Sequence, residues 1–568
     1  MALEPIPITF CSGMNNRDTA LNLFVNKSGQ VPSVVNADTT YLGKLKLLRP
    51  LAALNKTAES SSIHSVFRGQ DLVLAGTATY LKYRNGGTLT TLLSSLTSGA
   101  AMSFALIGNW IFIANGNEKR AVYITTPVGT GWGQAKPTAA PTTATGAAGD
   151  PDGTYSCYYR YRITLPDGTI IRTELSSADT VAPSSERIEW SAIVHASFTG
   201  ATTNQVELFR TKSSFSATYL VATLDSGTTT YSDNVDDATL ITQTEFNETG
   251  YYPPPDNVDA VIYHTGCNRL FAVVDNSIYW SEAGLYHTFL YSAVSGAYSS
   301  TNSVFLSGEN VTGLAIFDEQ LYISSQRTWK RLRGLSPSSW EWENTQAIKG
   351  SLCLKVVAST PWGIIYVGND SRIWLFDGYH SEVIVDDFVF DTTPDIISHA
   401  TFDGRYYKLC YNDSTYPELI LDFLGFPNRG IRVIQSTRTA DCSHYDQSSN
   451  EYYVGSSDGY LKNGDDESTD VTLTMRTPEI PIDMIVNLGD AGSLLVHANT
   501  QGDNLIITPY QDEEAQDNLT AFVSTSLIRE ALPLPLNIYR TMSFGISITT
   551  SEDITIQEPW LLRKEDDG

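Results

Sequence analysis

Short runs in which apolar and polar residues alternate are repeated along most of the chain, and polar turns rich in Gly, Asn and Asp separate them. The clearest example is His264–Glu282, where Arg269–Val274 and Ser277–Trp280 predict two strands. Asp275 and Asn276 lie between these strands, and both residue types tolerate the left-handed backbone that a tight hairpin turn requires. The segment therefore predicts a β-hairpin.

The same outline occurs in seven segments of the sequence, which are Ser65–Asn85, Ser103–Ile124, His264–Glu282, Gly313–Arg333, Pro361–Gly378, Ala400–Phe423 and His444–Asp465. Turns of this kind recur roughly every 40 to 50 residues, which is the period expected of four-stranded propeller blades. No long stretch keeps a helical period. We therefore predict an all-β chain built on a β-propeller. The hairpins do not fix the number of blades, because two of them can belong to one blade.

Composition changes abruptly after the second hairpin. Residues 137–151, PTAAPTTATGAAGDP, contain little that a core could bury, and they predict a linker. From Asp152 to about Leu240 several short strands follow, and in the first of them every second residue is apolar or aromatic. This spacing, with Trp190 in a later strand, predicts an immunoglobulin- or fibronectin type III-like sandwich inserted into the propeller. We expect the insert to fold by itself and the Pro-rich stretch near Pro253 to lead back into the propeller.

Both ends of the chain differ from the repeated hairpins. The first 60 residues predict an irregular arm with one or two strands, and the alternative is a lead-in that completes a blade. After the acidic loop Asn463–Asp470 the strands become longer, which predicts a separate C-terminal β-sandwich whose first strands could instead close the propeller. The predicted domains are residues 1–60 (arm), 61–136 (first part of the propeller), 137–255 (linker and fibronectin-like insert), 256–470 (second part of the propeller) and 471–568 (C-terminal β domain).

The charge balance argues against nucleic-acid binding. The chain of 568 residues has a formal net charge of −26, from 63 acidic and 37 basic residues. Such a surface repels polyanions, so tight binding to DNA or to anionic membranes is not expected over most of it. No apolar run approaches the ~20 residues of a membrane span, and no signal peptide is recognisable. The six cysteines lie far apart, and we expect them to be thiols of a protein made in a reducing cytoplasm.

The sequence contains no arrangement typical of an enzyme. Carboxylate groups occur at residues 386–387, 465–467 and 512–514, and we interpret all three as solvated loop acids. The eight histidines are scattered, and motifs such as GxSxG, HExxH and the phosphate-binding loop are absent. We therefore predict no catalytic residue, no metal site and no bound cofactor.

One stretch is strongly basic. QRTWKRLR contains four cations within seven positions, Arg327, Lys330, Arg331 and Arg333. A structural role would be an exposed strand edge on which cations prevent pairing with another sheet. A functional role would be a docking patch for an acidic partner protein. Both interpretations remain open from the sequence.

Two groups of residues resemble a known family, the tail tubular or nozzle proteins of short-tailed bacteriophages. The first group is Gly13-Met14-Asn15, the element Val34-Val35-Asn36-Ala37-Asp38, and Arg49-Pro50. The second lies in the central hairpin and comprises His264, Arg269, Leu270, Phe271, Asn276, Ile278, Tyr279 and Ser281. The glycine that usually follows Arg-Pro in the family is Leu51 here, and the fibronectin-like insert is not universal in it.

The resemblance implies a structural virion protein without enzymatic activity. It implies a hexameric ring below the portal and adaptor, near tail fibre or needle proteins, assembled in the host cytoplasm. Genomic DNA would pass through the channel without specific binding. The alternative is an extracellular or surface propeller that binds or hydrolyses carbohydrate, since fibronectin-type modules often accompany such domains. The missing signal peptide and catalytic motifs weigh against this alternative, and the missing WD signature weighs against a protein-interaction scaffold.

Overall fold

The computed structural model describes residues 6–15, 17, 23, 30–40, 43–246, 252–289, 291–292, 297–298, 301–303, 309–334, 336–386, 388, 397–411, 415–424, 426–427, 430–481, 491–534 and 541–564. Most of these residues belong to strands, and helix α1 (Asp237–Leu240) has only four residues. The predicted all-β class is therefore confirmed.

The first 60 residues form more strands than predicted. The five strands described there are β1 (Ile6–Ile8), β2 (Ser33–Val35), β3 (Ala37–Thr40), β4 (Lys44–Leu47) and β5 (Leu51–Ala53). Each has three or four residues, which is too short for a visible alternation of apolar and polar positions. β3 and β4 pair with each other, whereas the partners of β1 and β5 lie far away in sequence, since Ile6 pairs with Leu562 and Leu51 with Asp465. The segment is therefore more regular than the expected arm, and β5 completes a blade, as the alternative interpretation predicted.

The first two predicted hairpins are the centres of two antiparallel four-stranded sheets. Blade 1 contains β6 (Ile63–Gly69), β7 (Leu72–Thr77), β8 (Tyr80–Asn85) and β9 (Thr88–Leu93). Blade 2 contains β10 (Ser103–Ile107), β11 (Trp110–Ala114), β12 (Lys119–Tyr123) and β13 (Val128–Gly131).

The insert is a sandwich of two antiparallel sheets. Its strands are β14 (Thr142–Asp152), β15 (Tyr155–Thr164), β16 (Ile170–Arg172), β17 (Asp179–Val181), β18 (Ser184–Ser191), β19 (Thr203–Thr211), β20 (Thr218–Leu224) and β21 (Tyr231–Asp233). One sheet has the order β14-β18-β21 and the other β16-β15-β19-β20, with β17 also paired to β15. Tyr155, Cys157 and Tyr159 are buried as the alternation predicted, and so is Trp190.

Most of the predicted linker is in fact strand β14. This strand pairs with β18 and contains two irregularities, between Thr145 and Ala148 and between Ala148 and Asp152. A Cβ atom at Gly146 would lie 2.6 Å from the Glu189 carboxylate, so small residues allow the close approach. The strand is largely exposed, and backbone hydrogen bonds rather than burial hold it. A strand of this kind leaves no apolar pattern in the sequence.

Five further blades follow the insert among the described residues. Blade 3 contains β22 (Ala260–His264), β23 (Arg269–Val274), β24 (Ser277–Glu282) and β25 (Leu285–Phe289), and blade 4 contains β29 (Gly313–Phe317), β30 (Gln320–Ser324), β31 (Trp329–Arg333) and β32 (Glu341–Asn344). Blade 5 contains β33 (Ala358–Thr360), β34 (Gly363–Val367), β35 (Ile373–Phe376) and β36 (Ser381–Val385), and blade 6 contains β37 (Ile397–Phe402), β38 (Tyr406–Tyr411), β39 (Glu418–Asp422) and β40 (Arg432–Ser436). Blade 7 contains β41 (Cys442–Asp446), β42 (Glu451–Gly455) and β43 (Leu461–Asp465). Blade 3 is followed by the short strands β26 (Tyr291–Ser292), β27 (Ala297–Tyr298) and β28 (Thr301–Ser303), and 3-10 turns occur at Thr265–Cys267, Pro337–Ser339 and Leu354–Val356.

The blades form a closed ring. Blade 7 takes its fourth strand from the N-terminal segment, because β5 pairs with β43. Seven blades can therefore be counted in the described part of the chain, one for each predicted hairpin. Separate apolar clusters fill the junctions between neighbouring blades; Phe271 of blade 3, for example, packs with Leu321 of blade 4. Burying apolar area on both faces of each sheet is what fixes the blades side by side.

The C-terminal β domain is present but is not separate from the propeller. We call residues 471–564 together with β1, β3 and β4 the platform. Its C-terminal strands are β44 (Val471–Arg476), β45 (Ile480–Pro481), β46 (Ala491–Asn499), β47 (Ile506–Gln511), β48 (Glu514–Ala515), β49 (Ile528–Pro533), β50 (Thr541–Thr550), β51 (Thr555–Gln557) and β52 (Trp560–Lys564). One sheet runs β1-β52-β46-β51-β4-β3, and a second runs β37-β38-β39-β40-β2-β44-β50-β47-β48. The second sheet therefore continues from blade 6 through β2 into the platform.

Truncating Phe271 tests the packing between blades 3 and 4. Its ring is fully buried and lies 5.4 Å from the Trp340 ring, centroid to centroid. We expect Phe271→Ala to lower the free energy of unfolding by about 3–5 kcal/mol, because it leaves a cavity. Urea unfolding measures this loss. Phe215→Ala is the control, since Phe215 is 62% exposed and should change stability by no more than about 0.5 kcal/mol. A loss below about 1 kcal/mol for Phe271→Ala would contradict the blade assignment.

Two fragments test the boundary of the insert. A fragment of residues 138–246 retains β14 and should show a β-type circular dichroism spectrum and a cooperative thermal transition. A fragment of residues 152–240 lacks one of the three strands of the smaller sheet, so it should melt at a lower temperature or remain unfolded. Equal melting temperatures would show that β14 contributes nothing to the sandwich.

Candidate functional site

The first group of family-like residues lies where blade 6 meets the platform. Gly13 has a positive φ of 93°, and a Cβ atom there would lie 2.8 Å from Cα of Arg432 in blade 6. The backbone amide of Met14 donates a hydrogen bond to the carbonyl oxygen of Val433 at 3.0 Å. Glycine is therefore required at position 13 for the chain to run against the outer strand of the blade.

The side chain of Asn36 connects blade 6 to the platform at the same place, which we call the joint. It is 2% exposed and has a left-handed backbone with φ of 54°. Its amide group donates to Thr437 Oγ1 and to the Thr472 carbonyl oxygen, both at 2.9 Å, and its amide oxygen accepts from the Thr437 backbone at 2.8 Å. Thr437 follows blade 6 and Thr472 belongs to the platform, so one side chain connects the two units. Asparagine suits this position because it tolerates the left-handed conformation and offers both donors and an acceptor.

A charged cluster lies beside Asn36. The Arg405 guanidinium donates two hydrogen bonds to the carboxylate of Asp422, at 2.9 and 2.8 Å, and one to Asp38 at 3.1 Å. Asp422 is 1% exposed, and Tyr406 also donates to Asp38 at 2.9 Å. Burial raises the pKa of Asp38 even though Arg405 opposes this shift. The paired fork geometry of arginine matches a buried carboxylate, so the cluster fixes the angle between blade 6 and the N-terminal strands.

Arg49 and Pro50 lead from the platform into the strand that closes the ring. Arg49 is 9% exposed and forms an ion pair with Asp553 at 3.2 Å. The Pro50 carbonyl oxygen accepts a hydrogen bond from the Asp466 amide at 2.8 Å. Leu51 is the first residue of β5 and packs against the small apolar cluster between blades 6 and 7.

The second family-like group forms the corner and hairpin of blade 3. Asn268 has φ of 54°, and its side-chain oxygen accepts hydrogen bonds from the hydroxyl groups of Tyr263 and Tyr286 at 2.9 and 2.6 Å. Asp275 has φ of 52° in the predicted turn. The Ser281 hydroxyl group accepts from the Leu270 amide at 3.0 Å. These residues shape the corner and the hairpin of blade 3.

The four cations of the basic stretch do not lie on an exposed edge. They fall in or just before β31, which has β30 on one side and β32 on the other, so the edge-protection interpretation is wrong. Arg331 and Arg333 share the carboxylate of Glu343, and Arg327 forms an ion pair with Glu309 at 3.2 Å. The side chains of Arg327 and Arg333 are 81% and 61% exposed. The docking interpretation remains a prediction, carried mainly by these two exposed cations.

The carboxylate groups considered in the sequence are dispersed. Asp386 is 66% exposed and contacts Arg17 at 2.5 Å, whereas Asp387 lies outside the described residues. Asp512 and Glu513 occupy an exposed turn with positive φ values. Within the described ranges, no three His, Cys, Asp or Glu side chains are placed to hold a metal ion. No helix in those ranges has the length and apolarity needed to cross a membrane.

A buried histidine in an apolar setting lies beside the contact between the insert and the propeller. His287 of blade 3 is 5% exposed, and its ring lies 4.9 Å from the Trp110 ring and 5.0 Å from the Phe112 ring. Neither ring nitrogen has a hydrogen-bond partner among the described residues. The Trp110 indole in turn donates to Asp167 of the insert at 2.8 Å. Burial lowers the pKa of His287 to about 4, so the ring is neutral at pH 7.

Of the residues that form the joint, only those of the N-terminal segment could be named from the sequence. Their partners, Arg405, Asp422, Thr437 and Thr472, could not. Asp38 and Arg405 are 367 positions apart, and a pair so distant leaves no local signal.

Comparisons with known proteins add only fold-level similarity. The sequence matches no protein-family model and no curated protein. The computationally designed Ika8 protein is 11% identical with a TM-score of 0.35, over 74% of this chain and 100% of that one. The WD40 repeats of RRP9 are 8% identical with a TM-score of 0.32, over 72% and 92%. The WD40 β-propeller domain of Doa1 is 10% identical with a TM-score of 0.26, over 73% and 96%.

Removing Arg405 tests the charged cluster at the joint. Arg405→Met would remove the paired donors of the buried Asp422 carboxylate, which would keep the Leu424 amide at 3.0 Å and the more distant Arg432 at 3.8 Å. We expect a loss of about 3 kcal/mol in the free energy of unfolding. Urea unfolding measures it, and Arg327→Met, at an exposed cation, is the matched control with an expected change below about 0.5 kcal/mol. Equal effects of the two changes would exclude a special role for the cluster.

The pH dependence of stability tests His287. Its folded pKa of about 4 is below the unfolded value of about 6.5, so between these values the unfolded chain binds the extra proton. Stability should therefore fall as the pH decreases from about 6.5 to 4, by about 2 kcal/mol at pH 5 from this residue alone. His287→Leu should reduce the difference in unfolding free energy between pH 7 and pH 5 by that amount. An unchanged difference would show that His287 is not the group responsible.

Proposed function

We propose that the chain is a ring-forming subunit of the tail nozzle of a short-tailed bacteriophage, through which the genome leaves the virion. The proposal extends the resemblance of the N-terminal and central motifs. The observation that carries it is the position of the first motif group, since Gly13, Asn36 and Asp38 all serve the joint between blade 6 and the platform. A motif used to fix two β units together is expected of a structural protein.

The joint would give such a subunit the stiffness that a conduit requires. β2 is hydrogen-bonded to blade 6 on one side and to the platform on the other. A hinge between the two units would have to break this ladder and expose backbone groups, which is costly in a buried sheet. The propeller and the platform would therefore behave as one rigid block. Rigid blocks with different surfaces on their two sides pack head-to-tail into closed rings.

The charge of the chain also suits passage of DNA. A net charge of −26 per subunit, repeated around a ring, repels the phosphate backbone rather than binding it. Arg327 and Arg333, which we call the basic area of blade 4, lie near the two ends of β31, and each is exposed enough for a portal or adaptor protein with acidic groups to contact it. On this proposal the chain acts by shape and charge and needs no catalytic residue.

Assembly is the decisive test. Native mass spectrometry and electron microscopy of the purified chain, alone and with virion tails, should show a hexameric ring whose axial channel admits a DNA duplex. A monomer that binds or hydrolyses polysaccharide would overturn the proposal and favour the carbohydrate-acting alternative. A ring without a channel wide enough for a duplex would also reject the role of a conduit.

Charge reversal tests the basic area separately. Arg327→Glu combined with Arg333→Glu should reduce attachment to tail particles, while the thermal melting curve stays near that of the unchanged chain because both side chains are exposed. The matched control combines Arg84→Glu with Lys136→Glu, two exposed cations far from blade 4 in sequence. If both pairs reduce attachment equally, the effect is one of net charge. If neither does, the basic area is not the docking site.

A further inference from the structure

Four nitrogen bases face one side of the cavity on the propeller axis. The cavity has a volume of about 670 Å³ and is lined by the inner strands of the blades. Lys355 lies in the 3-10 turn that precedes the inner strand of blade 5. His399, His444 and His64 lie on the inner strands of blades 6, 7 and 1. Four consecutive blades therefore each contribute one basic side chain to the same space.

Lys355 is a charge without a counter-ion. Its side chain is exposed to the cavity, and among the described residues no carboxylate lies within ion-pair distance of it. In a chain with a net charge of −26, most cations can find an acidic partner nearby. An ammonium group that lines a cavity wall and has no carboxylate beside it attracts anions that enter the cavity.

The three imidazole rings are held in place by their neighbours. His399 Nδ1 lies 3.2 Å from Thr401 Oγ1, and His64 Nδ1 lies 3.0 Å from Ser65 Oγ. His64 Nε2 is buried and has no hydrogen-bond partner within the part of the chain that the structure describes. The His444 ring packs 4.5 Å from the ring of Phe67, centroid to centroid. Fixed rings with available nitrogens are suitable donors to an anion once they are protonated.

The acidic groups near the cavity are already engaged or lie on the opposite wall. Asp259 and Asp275 belong to blade 3, and the Asp259 carboxylate accepts a hydrogen bond from the Asp275 amide at 3.0 Å. Asp446 lies near His444 but accepts hydrogen bonds from Ser448 and Ser449 and pairs with Arg68 at 3.3 Å. The cavity is therefore polarised, with the bases of blades 5, 6, 7 and 1 facing the carboxylates of blade 3.

We propose that this basic wall is a binding site for a multivalent oxyanion, a phosphoryl or sulfuryl group, contacted by Lys355, His399, His444 and His64. The ammonium group supplies a permanent charge, and the imidazoles supply directional donors from neighbouring blades. The size of the cavity leaves room for the rest of a small phosphorylated or sulfated molecule. The site is independent of the tail-nozzle proposal, since it requires only the folded propeller.

Binding should be coupled to proton uptake. Burial, with a smaller contribution from the charges of His444 and Lys355, lowers the pKa of His399 to about 4. Burial also lowers the pKa of His444 to about 4, and it lowers the pKa of His64. An anion beside the rings favours their charged form and so raises these pKa values. The complex therefore holds more protons than the free chain, and affinity must rise as the pH falls.

Calorimetric titration of the full chain with inorganic pyrophosphate and with sulfate, at pH 5.5 and pH 8, tests the proposal. We expect one saturable site per chain, with tighter binding at pH 5.5. Lys355→Met should weaken binding by at least about tenfold, because it removes a charge-assisted contact. Lys136→Met, at an exposed cation outside the cavity, should leave binding unchanged. Absence of saturable binding at pH 5.5, or equal affinities for the Lys355→Met and unchanged chains, would overturn the proposal.

The histidines are tested by a second variant and by spectroscopy. His399→Asn with His444→Asn should remove most of the pH dependence while Lys355 still supports residual binding. Should these changes prevent folding, nuclear magnetic resonance of the unchanged chain with labelled histidine gives the same information. Pyrophosphate should shift the resonances of His399 and His444 and raise their titration midpoints, whereas His287 should not respond. If pyrophosphate leaves the resonances of His399 and His444 unchanged, any bound anion lies elsewhere and the proposed site is rejected.

Discussion

The structure depends on a three-residue strand that is hydrogen-bonded on both sides. Ser33–Val35 pairs in parallel with the outer strand of blade 6 and antiparallel with the first strand of the platform. Val34 is fully buried, so the strand also contributes to the largest apolar core. Without it, blade 6 would end in an open edge and the platform sheet would lose its neighbour. The hydrogen bonds of Asn36 and the contact between Asp38 and Arg405 then fix the chain where it continues from blade 6 into the platform.

The elements of this fold that could be predicted from the sequence are those whose paired strands are close together in the chain. Each predicted hairpin is the centre of a blade, because alternation and turn residues such as Asp275 act within a few positions. Phe271 lies in the predicted strand Arg269–Val274 for the same reason. In contrast, β2, β5 and β14 are short or exposed and are held by partners elsewhere. Backbone hydrogen bonds do not depend on residue type, so these strands leave almost no pattern.

The candidate sites show the same limit. The motif residues of the joint could be named from the sequence, but their partners in blade 6 could not. The cavity histidines offered one weak signal, a Ser-His pair repeated at Ser398-His399 and Ser443-His444 just before two hairpins. Aligning the repeats would place both rings at one level of the inner strands. Lys355 has no such signal, because it comes from a connecting turn.

Ring closure by the N-terminal segment also sets the order in which the chain can fold during synthesis. β5 can pair only after β43, some 400 positions later, has been synthesised, and β1 can pair only after β52, near the other end of the chain, has been synthesised. At typical ribosomal rates this interval is on the order of tens of seconds, during which the early strands have no partner. Unpaired strands can pair with the wrong strand or with another chain, and long apolar strands are the most prone to this. Segments of three residues present too little edge to capture another chain, so the shortness of β1, β2 and β5 protects the nascent protein until its last strands arrive.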